Sequence, residues 1–342
     1  MDDEEDVVAV KAHFTRLAVG ATGGVVHYHF APSKARWEEG LALFECGAVN
    51  TIEWESGLPL PSPPAADSSR HRPWLLACSD VAGVSIAKHR DGLRALGWRV
   101  LACEPEIVAE LGDKCSLIER ARELGLHKHL PRSYASLEAA SYPCILKAAR
   151  GEYGRTVHIV ASASHARKLL RSHAAGFGAG SRYVLQELVR GRVEHSLSLL
   201  VEEGRVLRAL HTRYEYSAAE YVWPRVHEVA RSSTDAPPPA HLAVLQPLIG
   251  SYSGFCNVNY KTRAAEEGAP STEDGSALRA CALRGEDLGM PFGEGEPMGE
   301  PDTVLAIFEM NMRVGGDLIN DAPKSAARSF LEGLEETAAA AL

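Results

Sequence analysis

The sequence predicts a mixed fold: a small α/β domain with parallel strands, followed by a larger α+β region on a mostly antiparallel sheet. Three observations lead there. WLLAC (74–78), SIAKHRDGLRALG (85–97) and WRVLAC (98–103) read as strand, helix and strand. From residue 142, short apolar, strand-like runs alternate with Gly-containing turns and are interrupted by a helix, SHARKLLRSHA, before a further one at 238–250. A length of 342 residues suits about two domains, or three small ones.

Residues 1–50 mix short apolar runs with glycines. Within them GATGG (20–24) fits a phosphate or substrate turn, or a purely structural glycine turn. GLPLPSPPAADSSRHRP (57–73) reads as an exposed loop or linker. Gly97 ends the first helix. A second helix is predicted at about 114–124: Asp113 can cap it, Leu117, Ile118, Ala121 and Leu124 share one face, and Gly125 stops it. YPCILKA, TVHIVA, RYVLQEL, EHSLSLLV and VLRALHTRY then read as strands, and 238–250 as a helix. GFCNVNYK (254–261) is a strand whose natural partner is 303–313.

Between those last two strands lies an acidic segment. Residues 263–303 hold ten acidic and three basic residues, so they carry −7 of the net charge of −9 and leave the rest at −2. With seven glycines and four prolines they cannot bury enough apolar surface to offset their ordering entropy. The segment reads as a loosely held or disordered loop, inert or regulatory.

Composition excludes several classes. No broad basic surface points to nucleic acid, and no apolar run reaches the roughly 18 residues of a membrane span. The start, MDDEED, lacks the basic residues of a secretory or transit peptide. The seven cysteines (Cys46, Cys78, Cys103, Cys115, Cys144, Cys256, Cys281) are odd in number and contain no CxxC. They suggest a reducing, cytoplasmic setting rather than a disulfide or zinc framework.

The chemistry sits in three places. In FEMNMR (308–313), strand alternation puts Phe308, Met310 and Met312 on one face and Glu309, Asn311 and Arg313 on the other. Glu309 and Asn311 offer adjacent hard oxygens, which suits Mg²⁺. On the facing strand Asn257, Asn259 and Lys261 share a face, so Asn259 can point into the same space. A solvated polar face on two edge strands fits these residues as well. In ILKAARGEYGR (145–155), Lys147 ends a strand beside a turn with Gly151 and Gly154, an arrangement that can hold phosphate oxygens. The loop is neither GxxxxGK[ST] nor GxGxxG, and an ordinary hairpin also fits. In QELVRGRVEHS (186–196), exposed backbone after Gln186 and Glu187 can meet an adenine edge, and Glu194 can take ribose hydroxyls. A plain hairpin with charged ends is the alternative.

Taken in order, these stretches resemble the ATP-grasp family over about residues 113–320. The resemblance implies two α+β subdomains clasping ATP, at 113–185 and 186–342, with the acidic insertion in the second. A small α/β domain, 1–112, precedes them. "DK" at 113–114 resembles the start of the family's central domain and makes Lys114 a phosphate lysine. "YPCILKAARGEYGR" makes Lys147 the second, with Gly151, Gly154 and Arg155 in the loop closing over ATP. "VLQELVRGRVEHSLSLLV" resembles the hinge, with Gln186, Glu187, Leu188 and Val189 around adenine and Glu194 on ribose. "GFCNVNYK" and "AIFEMNMRVGG" resemble the paired metal strands. Glu309 and Asn311 would ligate Mg²⁺, one ion or two, with Mn²⁺ as a substitute, and Arg313 would stabilise charge on the transferred phosphoryl group.

The family's first metal position usually holds Asp, Glu or Gln. Here it is Asn259, which bears on a second ion. Residues 148–149 are Ala-Ala rather than Pro-containing, and the insertion replaces a short turn. The activity implied is an ATP- and Mg²⁺-dependent ligase that converts a small carboxylate into an acyl phosphate for attack by an amine or thiol. The alternatives are a nucleotide-binding module without catalysis, motivated by Asn259, or a kinase that stops at a phosphorylated product. His211, Arg213, Tyr214 and Tyr216 follow the hinge strands. There Arg213 could meet a substrate carboxylate, or the cluster could be a solvated strand end.

Overall fold

The computed structural model describes residues 13–18, 25–31, 60, 62–63, 74–77, 79–151, 154–172, 182–264 and 303–340. GATGG (20–24), most of 57–73 and residues 265–302 lie outside them, as do Cys46, Cys78 and Cys281. The fold is mixed α/β with three sheets among the described residues.

The first sheet joins β1 (His13–Ala18), β2 (Val25–Ala31) and β3 (Trp74–Leu76), with β1 antiparallel to β2 and β2 parallel to β3. The helix expected at 85–97 is two helices, α1 (Asp80–Lys88) and α2 (Arg90–Ala95). It begins early because the Ser79 hydroxyl accepts the Ala82 N–H and Asp80 favours the positive helix end. Residues 98–103 form no full strand, only one parallel bridge from Arg99 to Trp74. Leu60, in the stretch expected to be an exposed linker, packs with Leu75, Ile86, Leu93 and Trp98. α3 (Pro105–Leu111) was not foreseen and opens on proline, where a missing N–H costs nothing. α4 (Lys114–Glu123) is as expected: the Asp113 carboxylate accepts the Cys115 and Ser116 N–H groups, and Gly125 leaves the helix at φ +71°.

The antiparallel region is two sheets rather than one. β4 (Cys144–Ala148), β5 (Val157–Val160) and β6 (Tyr183–Glu187) form a small sheet in the order β5-β4-β6. One face packs Cys144, Leu146, Val160 and Leu185 on α5 (Ala163–Arg171). The chain then crosses at 188–192 into the second sheet, ordered β11-β10-β7-β8-β9 and antiparallel throughout. Its strands are β7 (Val193–Glu202), β8 (Arg205–Tyr216), β9 (Glu228–Thr234), β10 (Gly254–Ala264) and β11 (Thr303–Asn311). Ala264 pairs with Thr303, so the acidic segment leaves from the end of the β10–β11 hairpin.

The five-stranded sheet has unlike faces. On one, Leu197, Leu199, Val258 and Ile307 pack on α6 (Pro239–Ile249), α4 and α3 in the largest core cluster. On the other, Leu200, Leu210 and Phe255 pack on Phe330 and Leu334 of α7 (Lys324–Glu335). Beyond that contact the second face turns polar, and that end floors the candidate site. No described helix is long and apolar enough to cross a membrane.

Candidate active site

The polar end follows from strand register. Asn311 lies opposite Asn257, and Glu309 opposite Asn259. On the far side of β10, Asn257 and Asn259 lie opposite Ser198 and Ser196. Directly opposed residues share a face. One surface therefore carries Glu309, Asn311, Asn257, Asn259, Ser196 and Ser198. The shared face expected for Glu309, Asn311 and Asn259 is present.

β11 carries a bulge. Asn259 pairs with Glu309 and Tyr260 with Ile307, so Phe308 is the extra residue. A bulged residue drops out of the ladder, and the Phe308 carbonyl instead accepts Lys147 Nζ at 2.9 Å. Lys147, 5% exposed, thus reaches from the small sheet to the large one. Burial, with the Lys114 charge nearby, pushes its pKa down to about 7 against the pull of Glu309.

Lys114, at the first turn of α4, arrives from a third direction. Its Nζ sits 3.0 Å from Glu309 Oε2 and donates to the Gly151 carbonyl at 3.3 Å. Burial pulls the Lys114 pKa down, but Glu309, together with Asp80 and Asp113, outweighs it and the net shift is upward. Burial pushes the Glu309 carboxyl up, and Lys114, Lys147 and Arg313 more than reverse it. Both partners are therefore charged. Arg313, buried just past β11, donates to the Val314 carbonyl at 3.1 Å.

The glycine loop follows β4. Gly151 has φ +152° and Gly154 φ +64°. A Cβ on Gly154 would collide with the Trp223 carbonyl oxygen, so the loop after β4 touches the β8–β9 connection of the other sheet. Arg155 is exposed beside it. The small sheet's open face carries Ile145, Lys147, Val157, Ile159, Val184 and Gln186, by register. Ile145, Val157 and Ile159 are only half-buried, so apolar surface flanks the lysine. This wall was missed in the sequence; the strand alternation in CILKA and VHIV is the signal that finds it.

At the crossing, Gln186 is buried, and among the described residues its Oε1 has no hydrogen-bond donor. Glu187 is ion-paired with Arg263. Leu188 and Val189 lie in the crossing itself. Glu194, half-buried, accepts the Tyr221 hydroxyl at 2.8 Å, and burial raises its pKa to about 7 against that bond and the Lys261 charge.

Donor chemistry decides what cation this surface suits. One carboxylate and two amides are hard oxygen donors, few in number, which fits an ion that keeps water and phosphate oxygens around it. Asn311 directs its Nδ2 at the Asn257 carbonyl, 3.5 Å away, which turns its side-chain oxygen away from that carbonyl.

Arg213 is not part of this surface. It lies opposite His195 on the other face of the sheet, exposed, and His211 shares that face. There His195, His211 and His241 gather around Tyr260, away from Glu309. Tyr214 and Tyr216 do lie on the Glu309 side, by the alternation of β8. One residue the sequence reading missed is Asp317, buried, its Oδ1 accepting Ser198 Oγ at 2.6 Å and Asn257 Nδ2 at 3.1 Å.

No protein-family model matches the chain, and no curated protein does. Among solved structures the chain is similar to D-alanine–D-alanine ligase from Bacillus anthracis complexed with ATP, at 16% identity over 78% of each chain and a TM-score of 0.47. It is similar to a D-cycloserine synthetase at 16% identity, over 91% of this chain and 98% of that one, with a TM-score of 0.45. An L-amino acid ligase from Bacillus licheniformis matches at 13% identity over 71% of this chain and 49% of its own, with a TM-score of 0.40. Likeness at this level leaves the chain's activity to be argued from its own residues.

Proposed function

We propose that this chain is an ATP-grasp ligase: it binds ATP and Mg²⁺ between its two antiparallel sheets and activates a small carboxylate for attack by an amine or thiol. One observation carries the reading. Two buried lysines from separate elements, Lys114 and Lys147, converge on the strand that holds Glu309 and Asn311, with Arg313 just past its end. Clustered cations beside a carboxylate and amides match a metal-bound polyphosphate, where positioning and charge neutralisation dominate the chemistry.

In this reading residues 113–185 and 186–342 are the two halves of the clasp. Ile145, Val157 and Ile159 flank the base, and its amine supplies the donor that Gln186 Oε1 lacks. The backbone of Glu187, Leu188 and Val189 borders it, and Glu194 meets the ribose. Lys114 and Lys147 turn to the phosphates beneath the loop of Gly151, Gly154 and Arg155. Glu309 and Asn311, with Asn259 opposite, would hold Mg²⁺, which neutralises phosphate charge when bound.

Arg313 is then the fixed cation facing the transferred group. A substrate carboxylate oxygen bonds to the γ-phosphorus as the bond to the ADP oxygen breaks. The nitrogen of the incoming amine bonds to the acyl carbon, loses a proton, and phosphate leaves. No protein nucleophile is needed.

Purified chain with Mg-ATP, screened against amino acids, peptides and small carboxylates, should release ADP when a fitting pair is present. Hydroxylamine should then trap the activated acyl group. ADP release with a stable phosphorylated product and no hydroxamate would favour a kinase. ATP binding without ADP release from any pair would favour a non-catalytic module.

A further inference from the structure

We infer that Lys261 and Tyr221 are positioning residues that lock the crossing between the two sheets to Glu194, so that recognition of the nucleotide's ribose depends on both. The inference rests on the proposed nucleotide site.

Lys261 lies on β10, on the same face as Asn259, and is 4% exposed. Its Nζ donates to the Val189 carbonyl at 3.1 Å and to the Gly191 carbonyl at 2.7 Å. It also stands 4.1 Å from the centroid of the Tyr221 ring. An ammonium has three donor directions, and here two meet carbonyls while the cation faces a π-surface. Lys261 is therefore committed to the protein, unlike a lysine that must be released to phosphate.

Tyr221 completes the link. Its hydroxyl donates to Glu194 Oε2 at 2.8 Å, which leaves Oε1 as the oxygen for a ligand's hydroxyl. The same segment is strapped to the crossing at other points. Gly191 N–H donates to the Ala219 carbonyl at 3.0 Å, Arg190 pairs with Glu220 at 2.6 Å, and Arg192 Nε donates to the Tyr216 carbonyl at 2.8 Å. One lysine thus fixes the backbone beside the base and, through one tyrosine, the carboxylate beside the sugar.

The test is calorimetric titration of ATP and of 2′-deoxy-ATP, each with Mg²⁺, into the full chain and into Tyr221→Phe, Lys261→Met and Lys261→Arg. The wild-type chain should prefer ATP by roughly 10- to 100-fold, the value of a hydrogen bond to a charged group. In Tyr221→Phe, which removes one hydroxyl only, and in Lys261→Met, that preference should fall toward one. Lys261→Arg should keep most of it. A general loss of packing weakens both nucleotides together and leaves the ratio unchanged, which would count against the inference. So would a wild-type chain that binds the two equally, or a Tyr221→Phe chain with the wild-type ratio. A wild-type chain that binds neither overturns the nucleotide reading itself.

Discussion

Lys114 Nζ lies 3.0 Å from Glu309 Oε2, an ion pair between the first turn of α4 and the bulged strand β11. Lys114 is nearly sealed from solvent, and Glu309 keeps 28% of its side chain exposed. The pair holds a carboxylate charged among three cations and holds a cation charged in a buried place. In the proposed reading a metal-bound triphosphate would supply each partner with a replacement: phosphate for the lysine, a divalent ion for the carboxylate. Until then the two groups neutralise each other.

The first prediction concerns Glu309. Glu309→Gln keeps shape and one oxygen but removes the only carboxylate among the three candidate ligands. Turnover, read as ADP release, should fall by about 10²-fold or more, the range for losing one electrostatic element of a site. The far-UV circular dichroism spectrum should match wild type. A variant within a few-fold of wild-type turnover contradicts the metal assignment.

Lys147 makes a different prediction. Lys147→Met preserves the packed stem and removes the charge. Loss of one charged hydrogen bond to phosphate is worth about 1.5–3 kcal/mol, roughly a 10- to 100-fold rise in KM for ATP. KM for the carboxylate should change little, and a rise confined to the carboxylate would misplace the lysine.

Gly154 ties the loop to the opposite sheet. Gly154→Ala adds a Cβ against the Trp223 carbonyl at a positive φ, at a cost of about 1–3 kcal/mol. The approach of Gly154 to the β8–β9 connection should be lost first, seen as faster proteolysis within 150–155 and a KM for ATP raised about tenfold or more. Unchanged proteolysis and KM would mean that the loop does not meet the β8–β9 connection.

The histidine cluster behind the sheet predicts acid sensitivity. Burial pushes His195 down to about 3 and His211 and His241 to about 4. Below the ordinary value of 6.5 the unfolded chain binds protons that the folded one does not. Stability is therefore intact above pH 6.5 and falls as pH drops toward 4. His241→Gln, which keeps a polar partner for Tyr260, should flatten that decline, with urea midpoints at pH 7.5 and pH 5 as the measure. Equal slopes in variant and wild type would show that the cluster charges without penalty.

Much of this was legible because it is local. Asp113, Gly125 and the apolar spacing between them define α4, and alternation alone puts Glu309 and Asn311 on one face, to which the register with β10 adds Asn259. What escaped depends on distant partners. Nothing in FEMNMR says that Phe308 bulges and offers its carbonyl to Lys147, since the bulge is set by pairing with β10. Arg213 follows the crossing along β8, yet its position in the alternation sends it to the far face. β9 escaped because its side chains are mostly exposed and carry no alternation. α7 does carry a local signal at Ala327, Phe330 and Leu334, whose spacing marks one helical face.

The most direct measurement is calorimetric titration of ATP into the wild-type chain and Glu309→Gln, each with Mg²⁺ and with EDTA. The account predicts that the wild-type chain binds ATP much more tightly with Mg²⁺ than without, and that Glu309→Gln loses most of that difference. Undetectable binding to wild type, or the same Mg²⁺ dependence in both chains, would contradict it.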